Sequence, residues 1–175
     1  MQAGADVVAA DHPYPLIRGG GLFLIGIGAG FLLGWIFPKR WIPLAIAGAV
    51  AGFTASGLSA LLPSLGSPSA VQIAALAGAI VVEMGLIALV VTRFRDRELR
   101  TQILAILFVV GLHFLIMGLA HGPLIAALGV LTMANAALGL GVRSIPLRAF
   151  GIIDALLKLG FGVWMLALYP AFTYA

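Results

Sequence analysis

Long apolar stretches separated by short polar breaks run along nearly the whole chain. Six stretches stand out, roughly residues 20–37, 41–62, 70–91, 101–120, 122–142 and 147–169. A hydrocarbon layer about 30 Å thick needs about 20 apolar residues in one helix, and each stretch meets that length. The breaks between them hold Pro38-Lys39-Arg40, Pro63 to Pro68, the charged run 93–100, His121-Gly122-Pro123 and Arg143 to Pro146. Strands of a membrane barrel would alternate apolar and polar residues; these stretches do not alternate. In lipid, helices satisfy their own backbone hydrogen bonds. The pattern therefore predicts an all-α integral membrane protein, a six-transmembrane-helix bundle. Residues 16–175 form one membrane domain and residues 1–15 a short polar N-terminal tail at the interface. That tail carries no basic run and includes Asp6 and Asp11, so it is not read as a signal peptide.

Composition narrows the class. Hydrophobic residues make up 62% of the chain and charged ones 9%, against roughly 25% charged in soluble domains. A water-soluble globule, a disordered chain and a nucleic-acid binder are all excluded. There is no cysteine, so disulfides, thiolate metal sites and Cys nucleophiles are absent.

Charge sets an expected orientation. Lys39, Arg40, Arg93, Arg95, Arg97, Arg100, Arg143 and Arg148 lie in or beside the breaks after the first, third and fifth stretches. Arg18 lies on the opposite side and Lys158 inside the sixth stretch. Basic loops stay cytoplasmic, which predicts a bacterial inner-membrane protein with both termini outside, in the periplasm. Trp35 and Trp41 are expected at the inner interface, and Tyr14, Trp164 and Tyr169 at the outer one.

Gly26, Gly30 and Gly34 recur every fourth residue, and Gly48, Gly52 and Ser56 continue the theme. Small residues let helices approach closely in lipid, so these positions read as helix packing, within the chain or in a homo-oligomer. The chain also divides into three stretches plus three. Short likenesses link the halves: Leu22-Phe23-x-x-Gly26 with Leu107-Phe108-x-x-Gly111, Pro43-Leu44 with Pro123-Leu124, and Glu83-x-Gly85 with Lys158-x-Gly160. Three is odd, so such a 3+3 repeat would be inverted, with a site at its interface.

Four ionisable residues fall deep within the stretches, Glu83, His113, Asp154 and Lys158, and Asn135 joins them. A charge at a helix centre costs about 2.5–3.5 kcal/mol even on the lenient insertion scale. They are therefore expected to turn inward and meet as one proton or solute site. Asp154 and Lys158 are spaced to pair along one helix face, a pair that could equally be structural. His113 has no polar neighbour on its own helix, and Glu83 is its preferred partner. Glu83, with no basic residue on its own helix, is the functional candidate. His121 is read as a loop residue, and with His12 it is too little for a metal site. No G-x-S-x-G, H-E-x-x-H or P-loop pattern occurs, so an enzyme is the least favoured class.

Two resemblances follow from local strings. Asp154-Ala-Leu-Leu-Lys158-Leu-Gly160-Phe161-Gly162 resembles the last-helix signature of microbial rhodopsins, a family whose lysine carries retinal and whose aspartate is part of the counter-ion. The likeness covers nine residues. The chain has six stretches rather than seven and no aromatic cage, so no cofactor is expected and retinal on Lys158 is disfavoured. The stretch from Gly111-Leu-His113-Phe through Pro123 to Asn135 is similar to a group of small bacterial multi-pass membrane proteins of no established activity. The expected function is that of a channel or transporter for a small solute or ion, proton-linked through the intramembrane cluster. The alternatives are a membrane-embedded ligand- or cofactor-binding module and a structural or regulatory partner subunit.

Overall fold

The computed structural model describes residues 12–168. It contains six long helices: α1 Ile17–Ile36, α2 Trp41–Leu58, α3 Ala70–Arg93, α4 Leu99–His121, α5 Pro123–Gly141 and α6 Leu147–Leu168. All six are long and apolar enough to cross a membrane, and no strand occurs among the described residues. This is an all-α multi-pass membrane protein. Tyr169 and residues 1–11 lie outside the described residues.

Local chemistry fixes the helix ends. α2 stops at Leu58 and continues as a 3-10 turn, Ser59–Leu61. There Ser59 Oγ donates to Ser56 O at 2.6 Å. The Arg18 guanidinium donates to Ser59 O at 3.2 Å and Pro63 O at 3.0 Å. Arg18 is therefore drawn into α1, which begins three residues earlier than the hydropathy suggests. Ser69 and Gln72 form a reciprocal cap at the start of α3, satisfying two amides that the helix leaves free. Gly122 has φ +98°, a backbone shape natural to glycine, and Pro123 opens α5. The expected polar tail is partly built into the fold. His12 is buried, and its backbone N–H donates to Leu65 O at 2.9 Å. Gln72 Nε2 donates to Pro13 O at 3.0 Å.

α1 packs between α2 and α6, and α4 packs between α3 and α5. α5 and α6 close one side, while α1 and α4 touch lightly. The glycines explain the closeness of the two hairpins. A Cβ on Gly48 would meet Gly26 O at 2.6 Å, and one on Gly30 would meet Leu44 O at 2.6 Å. Gly52 packs on Phe23 and Gly34 on Trp41. Only backbone-to-backbone approach of this kind gives full van der Waals contact in lipid.

The second half repeats these contacts. A Cβ on Gly129 would meet Gly111 O at 2.6 Å, as Gly48 does with Gly26. Arg100, second residue of α4, donates to Gly139 O and Val142 O at the end of α5. Arg18, second residue of α1, does the same at the end of α2. α6 lies on α1 as α3 lies on α4. The contacts of the two halves correspond in this way with one departure. α6 also packs on α5, whereas α3 makes no comparable contact with α2.

Candidate functional site

The most buried charges lie on α6. Lys158 Nζ donates to Asp154 Oδ2 at 2.5 Å, and both side chains are almost fully enclosed. The i, i+4 spacing stacks them on one face. Gly151 and Gly162 let that face press against α1, where they meet Trp35 and the Gly21 carbonyl. Lys158 Nζ also lies 5.7 Å from the ring centres of Phe31 on α1 and Phe114 on α4. An aromatic face attracts a cation, most strongly where water is absent. The ammonium is thus held by one carboxylate and two rings at the junction of α1, α4 and α6. Nζ, the atom that bears retinal in rhodopsins, is engaged by these groups.

Across the junction, Glu83 Oε1 lies 3.3 Å from His113 Nδ1. Glu83 stands on the small-residue face of α3 with the buried Ala75 and Ala79, so the helix can come close to α4. His113 Nδ1 is also 2.9 Å from Val110 O. A carbonyl can only accept, so the hydrogen resides on Nδ1. It points to the carbonyl, and the Glu83 carboxylate stands beside it as an ionic neighbour. Lys158 lies within electrostatic reach of both Glu83 and His113. Three helices therefore bring Glu83, His113 and the Asp154–Lys158 pair to one region. Glu83 differs from the rest in access: its side chain is 22% exposed, against 8% for His113, 2% for Lys158 and 1% for Asp154.

Asn135 joins the backbone of α6. Its Nδ2 donates to Phe150 O at 2.9 Å, clamping α5 to α6. Thr132, one turn away on the same face of α5, is fully buried, and its Oγ1 has no partner among the described residues. Asp154 Oδ1 has none either.

His121 corrects the expectation of a loop residue. It ends α4 and is buried. Gly20 on α1 has no side chain, which leaves room for the ring; a Cβ there would sit 2.9 Å from His121 Nε2. Beside it is a cavity of about 20 Å³ lined by Phe23, Phe114 and Met117 among others. Among the described residues, no three His, Asp or Glu side chains gather as metal ligands would.

Phe31, Phe114, Arg18 and Arg100 were not singled out by sequence reasoning as site or framework residues. Phe114 adjoins His113, but an aromatic in an apolar stretch carries no distinguishing signal. The two arginines share a place, the second residue of a helix opening each half, and that symmetry was readable in principle.

A family model for a family of unknown function (DUF6609) matches residues 9–173. No curated protein and no solved structure matches the chain. The match spans all six helices, and the chain belongs to the DUF6609 family.

Proposed function

We propose that this protein is a proton-linked channel or transporter for a small solute or ion, with Glu83 as the proton-carrying group. The observation that carries the reading is the Glu83–His113 contact at 3.3 Å, made by the one carboxylate of the cluster that keeps access to its surroundings. Asp154 and Lys158 cancel each other's charge. Glu83 then supplies a single uncompensated negative charge, which one proton or one small monovalent cation neutralises. In hydrocarbon a lone charge is expensive, so the cluster gains by taking up one positive charge and releasing it where water returns. His113 positions the carboxylate, and the Asp154–Lys158 pair sets the local field.

The unequal halves support a carrier that changes shape. In inverted-repeat transporters, two halves in different conformations exchange roles and open the site to alternate sides. Here α6 is docked on α5, while its counterpart α3 is not docked on α2. The basic loops on one side support cytoplasmic placement of residues 93–100 and periplasmic termini in a bacterial inner membrane. A bundle of this size is small for the task alone, and we place it in a homo-oligomer.

The test uses proteoliposomes holding a pH-sensitive dye and driven by a potassium diffusion potential, with and without a panel of small cations and neutral solutes. Wild-type protein is expected to admit protons faster than protein-free vesicles, and Glu83→Gln to abolish the difference. Equal uptake by the two proteins, or none above protein-free vesicles under any condition, overturns the reading. The alternative of a binding or regulatory subunit draws on the closed packing round Lys158, and that second outcome favours it.

A further inference from the structure

A groove of about 670 Å³ opens where α1 turns into α2. Its walls are Leu33 and Ile36 from the last turn of α1 and Leu44 from the first turns of α2. Its mouth carries Phe37, Lys39 and Arg40. Two cations therefore border one apolar groove at the edge of the membrane. A third, Arg148 on α6, stands near it, its Nη2 reaching Ile36 O at 3.5 Å.

Nothing nearby offsets them. Among the described residues, the two carboxylates on this side pair elsewhere: Glu98 with Arg143 at 2.7 Å and Asp96 with Arg95 at 3.4 Å. Glu83 and Asp154 lie inside the bundle with His113 and Lys158. The groove thus offers uncompensated positive charge at head-group depth and aliphatic wall one turn deeper. Only an amphiphile with an anionic head matches both parts. Basic pockets at helix ends recognise acidic lipid head groups in this way, and the volume falls in the range of sites that enclose a small ligand.

We infer that this groove is a binding site for an anionic phospholipid, its phosphate held by Lys39 and Arg40 and the head of one acyl chain laid against Leu33, Ile36 and Leu44. The neighbouring basic loop, residues 93–100, carries four arginines and serves as the charge-matched comparison. Because α1 lines both this groove and the Lys158 junction through Phe31, a lipid seated here would bear on a helix that walls the site.

The test titrates phosphatidylglycerol, and separately phosphatidylcholine, into the full chain in detergent and counts retained lipids by native mass spectrometry. Wild-type protein is expected to retain one phosphatidylglycerol in preference to phosphatidylcholine. K39Q/R40Q is expected to weaken retention about 25-fold, the product of about fivefold for each basic group. Leu33→Trp, which fills the groove and keeps every charge, is expected to weaken it as well. R95Q/R97Q, on the adjacent loop, is expected to leave it unchanged. The inference is overturned if R95Q/R97Q weakens retention as much as K39Q/R40Q, if Leu33→Trp has no effect, or if the two lipids bind alike.

Discussion

Asp154 engages Lys158 through Oδ2 alone, while its Oδ1 is buried with no partner among the described residues. The pair is neutral as a whole but unevenly satisfied. Removing the cation would leave an uncompensated carboxylate in a buried junction, which costs about 3–5 kcal/mol for a buried pair broken on one side. Lys158→Met is therefore expected to lower the unfolding midpoint in detergent, followed by tryptophan fluorescence. The double variant D154N/K158M is expected to recover most of the loss, because no charge is left stranded. A single variant as stable as wild type would mean that water reaches this pair.

Glu83 and His113 should be separable by function. Glu83→Gln removes the group that exchanges the proton and is expected to abolish proton uptake. His113→Gln keeps a polar side chain but loses the imidazole that stands 3.3 Å from the carboxylate. It is expected to slow uptake by about tenfold or more, since positioned proton transfer is worth about 10²–10⁴-fold. Stopped-flow records of dye-loaded vesicles check both. Identical rates for His113→Gln and wild type would remove His113 from the pathway.

The glycine contacts give a prediction about assembly. Gly48→Val places branched carbon where the Gly26 backbone oxygen would lie 2.6 Å from its Cβ. Backbone cannot yield as a side-chain end can, so α1 and α2 must separate, at a cost of about 1–3 kcal/mol. Gly78→Val on α3 has nothing within 4 Å of the added carbon and is expected to be tolerated. Thermal midpoints of the two purified variants check the contrast. Loss of stability in Gly78→Val within an oligomer would place that face of α3 at a subunit contact.

The repeat predicts a second arrangement of the helices. Aligning Gly48 with Gly129 and Glu83 with Lys158 places Leu58 and Ala75 where Gly139 and Phe150 meet in the other half. The chain has no native cysteine, so L58C/A75C provides a clean cross-linking pair. A short bifunctional maleimide is expected to join the two in proteoliposomes, with a yield that changes when Glu83 is replaced by Gln. No cross-link under any imposed pH gradient would mean that α3 stays away from α2, leaving the carrier without its exchange of halves.

The apolar runs were enough to give six spans, because a bilayer demands length and hydrophobicity of each helix regardless of its neighbours. The same logic placed Gly26, Gly30, Gly48 and Gly52 on packing faces, since periodic small residues have few other uses in lipid. Helix spacing likewise made Asp154 and Lys158 neighbours, a consequence of local geometry within one element. Which helix meets which is not local. Glu83 and His113 face each other because α3 lies on α4. Asn135 is tied to α6 because Phe150 O comes within reach of its amide, and His121 is drawn inward by the space above Gly20. The rings round Lys158 and the arginine clamps of Arg18 and Arg100 depend on the same long-range docking. Hydropathy is a property of single residues and sets the spans. Contacts between helices are decided by shape complementarity across pairs of surfaces, and only the folded bundle brings those surfaces together.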